Sequence, residues 1–352
     1  MTDTLPAEIT LRDVISAIPA SCRKRSTPRG LFMVARDVTI YLGAVVGLYL
    51  AESWFLVVPL WLLAGLAVSG MFVLGHDAAH GTLVDDNRLN SFLGHALFLP
   101  SLHIFEAWVL GHNRIHHGHT VRETMDFVWH PSTPQDYAAM GRLKRLRHRV
   151  EWSFMGAGVY YLRVVWWQMM IRFGNPPAKW ADKIRRDRNI MYSATFVMAT
   201  LVGLLGGLGS GDIGGAAWMI FKLLVVPFLL FTWTIGWTVY VHHIEPDIRW
   251  HTRQKWSKVA GQLDGTTVLR MNPVIDYLFF HSIFVHTPHH VDMRIPCYHL
   301  VEAAEAIKVA FPGRVIDHRM RMRDYLATTR RCKLQDFETG EWLPYSAAAD
   351  YT

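Results

Sequence analysis

The chain has 352 residues, 51% of them hydrophobic, with 14 tryptophans, a mean hydropathy of +0.14 and a formal charge of +7. Three widely separated cysteines, Cys22, Cys297 and Cys332, exclude a disulfide framework and fit a reducing compartment. The positive charge does not signify a nucleic-acid partner, because the basic residues flank apolar stretches, where lysine and arginine stay on the cytoplasmic side of a membrane.

Acids rather than a basic segment open the chain, so no cleaved signal peptide is expected. Thr10, with Asp13 three residues on, resembles a capping box and starts a short amphipathic helix ending near Pro19. Residues 38–74 contain no lysine or arginine and only Glu52 as an acid; residues 191–241 contain only Asp212 and Lys222 as charges. A crossing takes about 20 apolar residues, so each stretch holds two helices joined by a tight turn, at about 38–51, 55–74, 191–208 and 216–241. Between them, residues 75–189 are polar, basic and rich in histidine, with apolar pieces at 91–102 and 152–171. The second piece carries Arg163 among Trp152, Tyr160, Tyr161, Trp166 and Trp167, and suits a helix lying in the interface. The expected fold is therefore an all-α integral membrane protein: four transmembrane helices, interfacial helices and a cytoplasmic histidine-rich helical cap. Residues 1–37 read as a cytoplasmic segment, 38–318 as the membrane domain and 319–352 as a cytoplasmic tail.

Nineteen histidines are present, and their grouping carries the chemistry. His76 and His80 follow the second apolar stretch and share a helical face if the helix continues. His112, His116 and His117 form a second group; in an α-helix His112 and His116 share a face and His117 is rotated by about 100°, so one element serves two metal positions. His286, His289 and His290 form a third, with Pro288 suited to a first helical turn. His242 and His243 stand where the last apolar stretch ends. Eight or nine imidazoles without a thiolate are too many for one ion and fit two; imidazole suits iron, zinc and copper alike. Among the histidines outside these groups, His281 is the leading candidate for an additional role. Asp77, Asp126, Asp276 and Asp292 are candidate carboxylate partners for the outer ring nitrogens of metal-bound histidines.

The three groups match the HxxxH, HxxxHH and late HxxHH pattern of the membrane fatty acid desaturases, which the chain resembles. The resemblance extends to Ile18-Pro-Ala-Ser-Cys22 with Arg25-Ser26, to Tyr240-Val-His-His-Ile-Glu-Pro246 with Trp250 and Trp256, and to Ile295-Pro296, Tyr298 and residues 302–307. These features are similar to the acyl-lipid, oleate Δ12-type subgroup and cover about residues 10–310. The resemblance implies a membrane-bound oxidoreductase with two iron ions, O2 as co-substrate and a double bond made in a fatty acyl chain. It implies His76, His80, His112, His116, His117, His286, His289 and His290 as ligands, with a ninth after the last span, for which His243 is preferred to His242. It also implies an acyl tunnel and a separate electron donor, a ferredoxin or a cytochrome b5-like protein with its reductase, because the His-Pro-Gly-Gly segment of a fused cytochrome b5 domain is missing. The implied location is a bacterial inner membrane, multi-pass, with the site on the cytoplasmic side. The first group departs from the usual His-Asp-Cys-Gly-His by reading His76-Asp-Ala-Ala-His80, and Val291 stands where leucine is usual. Neither change removes an imidazole, but hydroxylation and oxidative decarboxylation of fatty acids use the same scaffold and remain alternatives. Two non-oxygenase alternatives fit worse. A zinc protease needs glutamate where Asp77 stands, and a transporter needs its histidines at mid-membrane.

Overall fold

A computed structural model describes residues 9–351; the acidic opening residues 1–8 and Thr352 lie outside the described residues. Four helices are long and apolar enough to cross a bilayer: Thr27–Leu50, Trp54–His80, Ala178–Ser210 and Ile213–His243. Each extends beyond the apolar stretch that marks it. Thr27–Leu50 starts early because Ser26 caps it, its hydroxyl accepting from the Arg29 N–H, and Pro28 fits the first turn. Trp54–His80 has 27 residues, about 40 Å at 1.5 Å per residue, against roughly 30 Å of hydrocarbon. Its last turns therefore emerge from the apolar layer carrying His76 and His80. It stops because Gly81, at φ 72, turns left-handed and closes the helix.

A lysine inside the fourth spanning helix needs a partner. Lys222 is 4% exposed, and its Nζ donates to the carbonyl of Ala51, the free end of the first spanning helix, where a cation is favoured. The Trp61 indole N–H donates to the Lys222 carbonyl at 2.8 Å, and Trp54, Trp61 and Trp218 meet edge to face around it. The third and fourth spanning helices pack closely: a Cβ on Gly206 would lie 2.4 Å from the Gly215 carbonyl oxygen, so only glycine permits this approach.

The apolar piece at 152–171 does not form a further crossing. Ala157–Tyr160 is one short helical turn that runs into a π-helical segment, Tyr161–Arg172. Gly158 sits against the backbone of Trp233, and Gly236 against the carbonyl of Ala157, fixing this element to the fourth spanning helix. Its Arg163 is neutralised by Glu151. The largest core cluster is aromatic, with Phe72, Phe98, Trp108, Trp129, Tyr161 and Phe231 buried together.

Strand content is small among the described residues: Thr267–Arg270 pairs in parallel with Ile316–Arg319, and Leu334–Asp336 pairs antiparallel with Glu341–Leu343. The residues expected as a tail are packed. Tyr325 donates to the Phe154 carbonyl at 2.6 Å, Lys333 to that of Trp152, and Trp342 to those of Glu245 and Ile248. The Trp342 bonds staple the carboxyl-terminal hairpin onto the turn after the fourth spanning helix, and the Tyr325 and Lys333 bonds tie the residues before it to the segment at 152–154.

Candidate metal centre

All three sequence groups and His243 converge on one buried spot, sorted into two sets. Ring nitrogens of His76, His80, His112, His117 and His289 lie within 4.8 Å of one another, as do those of His116, His243, His286 and His290. His76 and His80 are on the last turn of the second spanning helix, and His243 ends the fourth. His286, His289 and His290 lie on the short helix His286–Val291, with Pro288 in its first turn.

The second group is sorted differently from the α-helical expectation. His112 pairs with His117 in the set of five, while His116 joins the set of four. The reason is backbone geometry. Val109–His116 is π-helical, a conformation whose i→i+5 repeat brings residues five apart onto one face. One element does feed both sets, but through the 112/117 spacing rather than 112/116.

Several ring nitrogens from different histidines face each other at close range. His76 Nε2 and His112 Nε2 are 2.9 Å apart, His286 Nε2 and His290 Nε2 3.0 Å, and His243 Nε2 and His286 Nε2 3.3 Å. His80 Nε2, His289 Nε2 and both nitrogens of His117 are buried without any hydrogen-bond partner. A buried unsatisfied nitrogen costs about 1–3 kcal/mol, and a cation accepting one lone pair from each of several rings removes that cost at the nitrogens it binds. The donor set therefore fits a pair of imidazole-loving metal ions.

The outer nitrogens are held. His116 Nδ1 donates to Asp126 Oδ1 at 2.8 Å, and that carboxylate also accepts the Val121 and Val128 backbone N–H groups. Asp77 Oδ1 lies 3.3 Å from His76 Nδ1, while its Oδ2 accepts the Cys297 N–H at 2.7 Å. His243 Nδ1 donates to the Gly265 carbonyl at 3.2 Å. Gln262 does two tasks: its Oε1 accepts from His290 Nδ1 at 3.0 Å, and its Nε2 donates to the His117 carbonyl. The Thr120 hydroxyl donates to the His116 carbonyl at 2.8 Å. Neither Gln262 nor Thr120 stands out in the sequence.

Asp276 and Asp292 do not touch either set. Asp292 is clasped by Arg23 and Arg294. Asp276 accepts the Ser282 N–H and hydroxyl, closing the turn that precedes the third group. His281 is likewise engaged elsewhere, between Asp37 at 2.7 Å and Arg36 at 3.0 Å. His242 lies beside the set of four, stacked on His286 at 3.7 Å between ring centroids, and is not part of it.

Burial and, after it, the neighbouring imidazoles push His112, His117, His286, His289 and His290 well below the ordinary histidine value of 6.5. Burial also takes His103 down to about 3. These rings are thus neutral at pH 7, the form that binds metal. An unfolded chain takes up these protons below about 6.5 and the folded chain resists them, so acid favours unfolding. Metal-stripped protein is expected to lose thermal stability steadily as pH drops from about 6.5 toward 5, with little change above neutrality; a midpoint flat across that acid range would contradict these shifts.

An apolar cavity of about 50 Å³ reaches the histidines, lined by Phe72, Trp108, Phe127, Val165, Ile235 and Ile283 and ending at His76, His112, His116 and His286. Its apolar lining borders histidines of both imidazole sets.

Comparison with known proteins agrees with this geometry. The chain is 28% identical over 329 residues to an sn-1 oleoyl-lipid 12-desaturase of Picosynechococcus, covering 93% of this chain and 90% of that protein. It is 30% identical to an sn-1 acyl-lipid omega-3 desaturase (ferredoxin) of Synechocystis, covering 87% and 82%, and 31% identical to a chloroplastic omega-3 fatty acid desaturase of Glycine max, covering 87% and 66%. The sequence model described as fatty acid desaturase matches residues 19–321, a span that includes every histidine of both sets. With that match over most of its length, the chain belongs to the fatty acid desaturase family.

Proposed function

We propose that the two imidazole sets hold two iron ions and that the enzyme uses O2 and electrons from a ferredoxin-type donor to desaturate the acyl chain of a membrane lipid. The ligands in this reading are His76, His80, His112, His117 and His289 for one ion, and His116, His243, His286 and His290 for the other. The observation that carries it is the meeting of nine imidazoles, eight buried and that of His80 half-buried, from separate segments beside an apolar cavity. Relatives named as oleoyl-lipid or acyl-lipid desaturases, three of them with ferredoxin in the name, support the substrate class and the donor. Basic residues beside the spans support a cytoplasmic placement of the site.

Bound iron would supply O2 activation and the oxidising power to remove hydrogen from an unactivated methylene. The protein's own contribution is placement. Phe72, Trp108, Val165 and Ile235 keep the reacting carbons dry and aligned. Asp77, Asp126, Gln262 and the Gly265 carbonyl fix ring orientation, holding the inner nitrogens free of protons. One hydrogen leaves each of two adjacent methylenes, and these, with two electrons from the donor and two protons from solvent, take O2 to two waters.

The test is expression in a host with a simple lipid profile, with metal analysis of the purified protein. About two irons per chain and a lipid product two mass units lighter, all carbons retained, are expected. A product gaining oxygen or losing a carbon would replace desaturation by hydroxylation or decarboxylation, and protein without transition metal would remove the metal assignment.

A further inference from the structure

The helix Arg142–Glu151, sequence Arg-Leu-Lys-Arg-Leu-Arg-His-Arg-Val-Glu, is built inside out. Leu143, Leu146 and Val150 recur at i, i+3 and i+7, the spacing of a buried stripe, yet they are 83%, 59% and 44% exposed. The polar residues face inward instead. His148 is buried, stacks on Trp152 and bonds the Tyr345 hydroxyl at 3.0 Å; Glu151 is 3% exposed and bridges to Arg163. Arg149 donates to the Tyr137 hydroxyl at 2.8 Å, and Arg145 to the Ala138 carbonyl. These bonds fix the rotation of the helix, so the leucines face outward by construction. In water such a stripe forfeits hydrophobic free energy with nothing in return.

What covers the stripe is indicated by its position and its charge. Apolar exposure continues past the helix through Phe154, Met155 and Val159. Next to Val159, Gly158 packs on Trp233 of the fourth spanning helix, and Trp233 and Trp237 lie parallel there with centroids 6.4 Å apart. Paired tryptophans on a spanning helix mark the level of the headgroups. The stripe is therefore continuous with the lipid-facing surface. Arg142 and Lys144 flank it as exposed cations with no ion-pair partner among the described residues, joined by the exposed Arg147, whose Nε lies 3.8 Å from the buried Glu151 already bridged to Arg163. An apolar stripe bordered by three exposed cations, two of them unpaired and the third sharing one carboxylate with Arg163, matches an anionic leaflet.

We propose that the helix Arg142–Glu151 lies in the plane of the leaflet on the histidine side, with Leu143, Leu146 and Val150 among the acyl chains and Arg142, Lys144 and Arg147 on the phosphates of anionic lipid headgroups. This contact holds the turn after Glu151, and through it the wall of the acyl cavity formed by Tyr161 and Val165, at the depth where a lipid's own chain enters.

The test places a nitroxide at Leu146→Cys in full-length protein in nanodiscs and compares its collision rates with O2 and with a water-soluble nickel complex. The native cysteines are buried. A label at Phe196→Cys on the third spanning helix gives the lipid reference, and one at Val309→Cys gives the aqueous reference. In phosphatidylglycerol-containing discs the Leu146 label is expected to behave like that at residue 196. The triple variant R142E/K144E/R147E is expected to shift it several-fold toward the behaviour at 309. A label as wet as residue 309 in those discs overturns the proposal, as does one that enters lipid identically with and without the three charges. A label that stays in water until a ferredoxin is added, and is then immobilised, also overturns it and assigns the face to a protein partner.

Discussion

His116→Ala is expected to lower bound iron from about two to about one per chain and turnover by at least about 10³-fold, some 4 kcal/mol of lost transition-state stabilisation. The set to which His116 belongs has only four imidazoles, so removal leaves His243, His286 and His290, which come from two separate elements. His116 is also the ring that Asp126 orients, and that carboxylate would stay in place on the Val121 and Val128 N–H groups with no imidazole to hold. The set of five provides the contrast. His289→Ala leaves four imidazoles there, so iron content should fall less while turnover still collapses, because the proposed reaction would need both sites correctly filled. Metal analysis and product yield on protein shown to be inserted and monodisperse check both variants. Two irons and full activity in His116→Ala would strike His116 from the ligand set.

The spanning helices were legible because hydrocarbon tolerates almost no charge, so residues 38–74 and 191–241 betray themselves by what they lack. Their ends were not, because hydropathy reports the apolar layer and not the backbone. Thr27–Leu50 starts well before the apolar run on the strength of a serine cap and a proline, and Trp54–His80 carries on until Gly81 breaks it. The packing of the carboxyl-terminal residues was also hidden: it rests on side-chain bonds such as Trp342 to Glu245, between segments about a hundred positions apart.

For the site, histidine spacing identified the residues but not their division. An α-helical reading puts His112 with His116; the π-helical backbone of Val109–His116 puts His112 with His117, and nothing in the local composition announces that change of repeat. Carboxylates near the histidines in sequence proved unequal for a similar reason. Asp77 and Asp126 touch a cluster ring, whereas Asp292 meets two arginines first. Gln262, which touches both sets, lies twenty-four positions before the third group (286 minus 262) on a separate short helix, and only tertiary folding brings it in.

Asp37→Ala is expected to destabilise the protein by about 3–5 kcal/mol, the cost of stranding the partners of a buried ion pair. Asp37, on the first spanning helix, is 2% exposed; its Oδ1 accepts from Arg36 Nε and Nη2, and its Oδ2 accepts from His281 Nε2 at 2.7 Å. Arg36 Nη2 lies 3.0 Å from His281 Nδ1, so the three side chains form a closed ring of contacts. The second spanning helix makes room with Gly70, where a Cβ would lie 2.9 Å from Asp37 Oδ2. The ring clamps a strained turn. His281 and Ser282 sit at φ 51 and φ 62, left-handed conformations that cost non-glycine residues roughly 1–3 kcal/mol each. Asp276 holds the other side of the turn through Ser282 and the His281 N–H. Four residues later the chain enters His286, so relaxing the turn moves a ring of the set of four. Asp37→Ala should therefore unfold at clearly lower temperature and retain less iron, with Asp37→Asn, which keeps an acceptor for His281, falling between it and the parent. If Asp37→Ala melts with the parent and keeps its iron, the clamp does not hold the turn.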